Sequence, residues 1–318
     1  MNTTPLNEDL RPQISIDSSK DSRELPMKEQ PNLFVRLSEA LGFKKGYNSV
    51  LWFIFGGGML GFVLARFMYL HPPTMLEGVA PGEAFWLQSG IYKVAMLAHL
   101  GAILPAGFLA VFQFVPIIRY KAIIVHRRVG YISLLGLFVG VAFALMLMRH
   151  SYGGDISIQS GVVALAALSL SSATIAWFNI KKLRIDQHRK WMLRTWFYAS
   201  SIITLRIVMM MIAHLISANG HYHTVWSCAE VLYTIDNNST MLEELYPTCL
   251  TGSLDAVHVP VPAVWTTGLN IGSTLRMSFG PALWIALVLH AVGVEIYIYL
   301  TPSGTARLRK VPHHRKII

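Results

Sequence analysis

The chain has 318 residues, of which 53% are hydrophobic and 14% charged, and its mean hydropathy is +0.46. That composition excludes a soluble enzyme and places the chain in a membrane. A formal charge of +10 would suit nucleic acid, but the 27 Lys and Arg stand in short clusters between long apolar runs. No nucleic-acid partner is expected, and the clusters act as topology signals. Two cysteines are too few for a disulfide framework or a four-ligand zinc site.

Residues 1–32 mix acids, bases, Pro and Ser without an apolar period, and are expected to form a disordered cytosolic tail. In residues 33–47, Leu33, Leu37 and Leu41 fall at helical spacing ahead of Lys44 and Lys45. This suits a short interfacial helix. Six apolar runs follow, near 48–70, 93–117, 129–149, 158–180, 191–217 and 278–300. Each can cross about 30 Å of hydrocarbon at about 1.5 Å per residue. The expected fold is therefore all-α, a polytopic bundle of six transmembrane helices whose partner is the lipid bilayer. Five helices fall within 48–217 and the sixth at 278–300. Small residues one turn apart, Gly57 and Gly61, Gly136 and Gly140, and Ala167 and Ser171, offer close helix approaches.

The connectors alternate in charge. Lys28, Arg36, Lys44 and Lys45 precede the first span, Arg119, Lys121, Arg127 and Arg128 follow the second, and Lys181, Lys182, Arg184, Arg189, Lys190 and Arg194 follow the fourth. The 301–318 tail adds Arg307, Arg309, Lys310, Arg315 and Lys316. The other connectors hold only Lys93, Arg149 and Arg276, at their edges. The positive-inside rule then puts both termini in the cytosol and the 218–277 connector on the extracytoplasmic side. That connector carries Glu230, Asp236, Glu243, Glu244 and Asp255 with both cysteines, and a Cys228–Cys249 disulfide is expected. The overlapping sequons at Asn237 and Asn238 are candidate glycosylation sites on the same side.

Polar groups inside a bilayer are costly, so Arg66, His99, Arg206, His290 and Glu295 need partners or a role. Counting depth along ideal helices pairs Glu295 with Arg194, an ion pair between two helices. Arg206 meets no acid at its depth; it snorkels or lines water, or it holds an anionic group of a cofactor or lipid. His126 opens HRRVGYI and His188 opens HRKWMLR at nearly one cytosolic level. Two imidazoles so placed could ligate a haem iron from both faces, with the flanking bases meeting the propionates. They could equally anchor to lipid phosphate. His99 and His214 form a looser second pair, differing in height by roughly 7 Å. His150 points away from the His126 direction and is assigned to an outer loop. His221 and His223 are read as a solvated pair. No magnesium-binding acidic helix, Walker motif, Rossmann fingerprint or nucleophile elbow appears in a supporting context.

At HRRVGYISLLGLFVGVAFALML and DQHRKWMLRTWFYASSIITLR the chain resembles domain of unknown function 2306, a family of multi-pass membrane proteins. The resemblance spans about residues 90–217, through His126, Arg127 and Gly130, then His188, Trp191, Met192, Arg194 and Arg206. It implies a fold and no activity. A looser similarity, in paired helix histidines, is to transmembrane b-type cytochromes, although the span at 158–180 has no histidine. The leading expectation is a haem b-binding transmembrane oxidoreductase using His126 and His188, with His99 and His214 as a second pair and Arg206 on the cofactor. The alternatives are a small-molecule transporter using Arg206 and His290, and a bilayer enzyme acting on a lipophilic substrate.

Overall fold

The computed structural model describes residues 32–43 and 46–301. The expected N-terminal tail up to residue 31, Lys44 and Lys45, and the basic tail from 302 lie outside these residues. Among the described residues six helices are long and apolar enough to cross a membrane: α1 (Gly46–Arg66), α2 (Gly90–Gln113), α3 (Ile123–Leu147), α4 (Ile156–Lys181), α5 (Ile185–Asn219) and α6 (Gly268–Leu300). The protein is a multi-pass membrane protein. Their ends are set by local chemistry. Asp155 caps α4 by accepting from the Ile158 N–H at 2.8 Å, and Gly220, at φ 72°, closes α5.

Tyr297 near the end of α6 donates to Asn48 Oδ1 at the start of α1, 3.3 Å away. The start of the first span and the end of the last therefore share one end of the bundle, called proximal below. The opposite, distal end gathers the connectors 71–89, 148–155 and 220–267. Helix α5 has 35 residues and α6 has 33. At about 1.5 Å per residue each is about 50 Å long, roughly 20 Å more than the hydrocarbon requires. The extra length of α6 is distal, because it begins at Gly268 and not near 278. This overhang carries β1 (His223–Ser227) and β2 (His258–Pro262), an antiparallel ribbon that departs from the all-α expectation. In β2 Val259 and Val261 are buried while His258 and Pro260 are exposed, the period-two alternation of a half-buried strand.

The Cys228–Cys249 disulfide is present and fully buried, packed with Trp226, Val231, Val259 and Val261. Asn237 and Asn238 sit on the exposed turn between the two cysteines, and Asn238 caps the helix Ser239–Leu245. The short helix Leu33–Ala40 packs against α1 through Phe34 on Phe53 and a Ser38–Ser49 hydrogen bond of 2.9 Å.

The small-residue pairs divide. A side-chain carbon on Gly136 would lie 2.8 Å from the Ala102 carbonyl, and one on Gly140 3.1 Å from Ile103, so α3 and α2 do approach there. Gly57 and Gly61 have nothing within 4 Å, and Ala167 and Ser171 are exposed. On α4 the packed small residues include Ala166, Ser169, Ala173 and Ala176. Both pairs have the right spacing on the wrong face, which spacing alone cannot reveal.

Candidate functional site

The distal connectors converge on a cavity of about 580 Å³ whose walls include Trp86, Arg149, His150, Ser227, Glu230 and Arg276. Arg276, two turns into α6, is 3% exposed. Its Nη2 donates to Glu230 Oε1 at 2.8 Å, its Nε lies 3.5 Å from Glu83 Oε1, and its guanidinium stacks on Trp226 at 3.5 Å. A guanidinium in so dry a place needs both carboxylates and the ring to offset its desolvation.

Each carboxylate is aimed by its own turn. Ser227 and Glu230 form a capping box at the start of helix Cys228–Thr234. The Glu230 N–H donates to Ser227 Oγ, and Glu230 Oε2 accepts from the Ser227 N–H, each at 3.2 Å. Glu230 Oε1 also accepts from Trp86 Nε1 at 3.0 Å. Glu83 follows Gly82, whose φ of 85° only glycine adopts freely and where a side-chain carbon would lie 2.4 Å from Trp226. Glu83 Oε2 accepts from the Tyr152 N–H at 2.7 Å.

These settings push the two acids apart. Burial raises the Glu83 carboxyl from an ordinary 4.5 to about 7, against the pull of Arg276, the Tyr152 N–H and Arg206, with Glu230 adding to the rise. Burial also pushes Glu230 upward, but Arg276, Trp86 and the Ser227 N–H together overcome it and hold Glu230 below the ordinary carboxylate range. Near neutral pH Glu230 is ionised while Glu83 is part protonated.

His150 completes the wall. Its ring lies 3.9 Å from the Trp86 ring, and its Nε2 is 2.8 Å from the Tyr92 hydroxyl. Burial holds the imidazole below the ordinary histidine range, with Arg149 adding to the effect and Glu230 opposing it. It is therefore neutral at pH 7. The next residues, Ser151 to Gly154, turn tightly: Tyr152 sits at φ 50°, Gly153 at 80° and Gly154 at 61°. Strain at Tyr152 is held in place by three contacts, its N–H on Glu83, its ring stacked on Phe279 at 4.3 Å, and its hydroxyl accepting from Arg206 Nη1 at 2.6 Å.

Arg206 thus belongs to this distal cluster through Tyr152. The charge of Glu83 reaches it from the first connector, which counting depth along helices alone leaves out. His150 is in the connector after α3, a loop position as expected, and it forms part of the cavity wall. Glu83, Trp86, Tyr92, Tyr152 and Arg276 were not singled out from sequence as site residues. The Ser227-Cys-Ala-Glu230 capping box and the Tyr152-Gly153-Gly154 turn were the legible signals.

The other sequence candidates lie elsewhere. His126 and His188 do come together at the proximal end, near enough for a charge on one to act on the other, with Arg119 beside both. His188 Nδ1 is 2.9 Å from the Ala176 carbonyl, and His126 Nδ1 is buried without a hydrogen-bond partner among the described residues. His99 and His214 are not joined by any hydrogen bond or ring contact among the described residues. His99 Nδ1 is 2.7 Å from the Gly140 carbonyl, whereas the His214 ring packs on Trp265 at 5.5 Å. Arg194 and Glu295 make the expected ion pair, bidentate at 2.5 and 2.8 Å. His290 has Nδ1 at 2.7 Å from the Phe197 carbonyl and Nε2 at 2.8 Å from Thr204 Oγ1.

Residues 96–235 match the DUF2306 family of predicted membrane proteins. The resemblance expected from the two histidine motifs is borne out. The matched stretch holds His99, His126, His150, Tyr152, His188, Arg206, His214 and Glu230, and leaves Glu83 and Arg276 outside. The chain is also 23% identical over 325 residues to Ava biosynthesis cluster protein G of Aspergillus versicolor, across 86% of this chain and 94% of that protein. No solved structure matches.

Proposed function

We propose that the protein is a bilayer enzyme of small-molecule biosynthesis that moves a proton within a lipophilic substrate bound in the distal cavity. The observation that carries this reading is His150: a neutral imidazole bonded to the Tyr92 hydroxyl, on the wall of a cavity that also presents Arg149 and Arg276. A neutral imidazole can take a proton at pH 7, and a fixed guanidinium can hold the anion that results. In the proposed reaction His150 takes a proton from one substrate atom while Arg149 and Arg276 face the developing oxyanion. The imidazolium exchanges that proton with water and then delivers a proton from solvent to another atom of the same molecule, so the substrate loses one proton and gains one. Nothing is oxidised or reduced, and no co-reactant is consumed. Trp86, Phe85 and Val225 supply the apolar surface that a lipophilic molecule needs. The biosynthetic-cluster name of the Aspergillus versicolor relative points the same way.

The reading also places the distal end on the extracytoplasmic side, supported by the disulfide there and by the basic residues Arg119, Arg127, Arg128, Lys181 and Lys182 at the proximal end. The test uses membranes carrying the protein, supplied in D2O with a lipophilic extract from a host deleted for it. A compound in the extract should be converted to an isomer carrying deuterium, and His150→Gln should slow this about 10²-fold or more. Wild-type turnover by His150→Gln, or a product of different elemental composition, would refute the proposal.

A further inference from the structure

At the proximal end, side chains from three elements come near enough for the charge of one to act on another. Arg119 comes from the short helix Pro116–Lys121, His126 from the first turn of α3, and His188 from the first turn of α5. The charges that bear on the His126 ring are those of Arg119, His188 and Arg127, and Arg119 also bears on His188. Arg119 thus sets a permanent positive charge beside two rings that can each take up a proton, a setting that favours an anionic group. The donors are also unfinished. Arg119 Nε and His126 Nδ1 are both buried without a hydrogen-bond partner among the described residues, which is costly for a polar atom out of water. His188 Nδ1 is turned onto the Ala176 carbonyl, which leaves its Nε2 free of that bond.

We infer that Arg119, His126 and His188 form a binding site for a phosphate group at the proximal membrane face. Donors from three separate elements suit the three oxygens of a phosphate, whereas a carboxylate offers two oxygens in one plane. The first turns of α3 and α5 add the positive ends of two long helices. The site is separate from the distal cavity and does not depend on the proton-transfer reading.

The test is a thermal-stability titration of the full-length protein in detergent, at constant ionic strength, with inorganic phosphate, dioctanoyl phosphatidic acid and, as control, sodium acetate. Saturable stabilisation by phosphatidic acid but not by inorganic phosphate assigns a lipid headgroup. Stabilisation by both assigns a free phosphate group. In either case Arg119→Gln and His126→Gln should each weaken the apparent affinity by about tenfold or more, the loss expected for a charge-assisted hydrogen bond. The inference is overturned if neither phosphate compound exceeds acetate, or if both variants titrate as the wild type does. It is also overturned if the purified protein carries a Soret band that His126→Gln and His188→Gln abolish, for then iron holds the rings.

Discussion

Glu83→Gln should change how stability depends on pH. Glu83 is 6% exposed, and its carboxyl is raised from 4.5 to about 7 chiefly by burial. The folded protein therefore holds this proton more tightly than the unfolded chain does. The stabilisation is complete below pH 4.5 and is lost as pH rises through about 7. At about 1.4 kcal/mol per pH unit, the loss amounts to about 3 kcal/mol by pH 8. Glutamine keeps an oxygen that can accept from the Tyr152 N–H but cannot ionise, so the variant lacks this decline. Melting followed by intrinsic fluorescence in detergent between pH 5 and 8 provides the assay. Relative to Glu83→Gln, the wild type should lose about 5 to 10 °C across that range, with any fixed cost of the substitution appearing as a constant offset. Glu230 does not mask the effect, because its carboxyl is lowered and its contribution is lost only as pH falls below the ordinary carboxylate range. Parallel melting curves for the two proteins from pH 5 to 8 would show that Glu83 is not the protonated member of the cluster.

Cys228→Ser should lower stability by about 3 kcal/mol, since the bond closes a loop of 21 residues, and it should free Cys249 to alkylation under denaturing, non-reducing conditions. Labelling of both thiols in unreduced, denatured wild type would reject the disulfide. Gly136→Val should cost about 1–3 kcal/mol by forcing α3 off the Ala102 carbonyl, while Gly57→Ala should be neutral or mildly stabilising; equal melting temperatures for the two variants would refute the packing assignment. Arg276→Met, which strands Glu230 in a dry site, should cost about 3–5 kcal/mol, and a wild-type melting temperature would show that the charges there are solvated.

How much of this was legible in the sequence depended on range. Apolar length located all six spans, because the cost of an unsatisfied backbone in lipid leaves a helix as the open choice for such runs. The Arg194–Glu295 pair was legible because both residues lie on helices, where depth follows from counting. The distal cluster was not, for the same reason. Glu83 and His150 sit on connectors, whose path counting cannot follow, and Arg276 looked like a connector edge because the polar Gly272-Ser273-Thr274 stretch before it breaks the apolar run. In the fold those residues turn inward: Ser273 donates to the Val261 carbonyl at 2.8 Å and is bonded to Thr224, so the polar turns of α6 are its seam with the ribbon. A hydropathy window reads such a seam as solvent.

The same contacts bear on the choice between an enzyme and a transporter. A transporter using Arg206 and His290 needs a polar route linking the two ends. Here the interior of the α5–α6 seam is filled by Leu205, Met209, Phe279, Leu283 and Ala286, all at most 6% exposed. His290 has each ring nitrogen within hydrogen-bonding distance of a partner on α5, so it serves this conformation as a clamp between the two helices. Arg206 faces the distal side through Tyr152 and the field of Glu83, with its guanidinium also over the Phe279 ring at 5.8 Å. The two polar ends are thus divided by a packed apolar layer, and opening a route would mean separating helices that bury Leu205 and Ala282 completely. Chemistry confined to one end needs no such motion. A substrate dissolved in the distal leaflet could reach Trp86 and His150 from the side of the overhang, which is the economy of the enzyme reading.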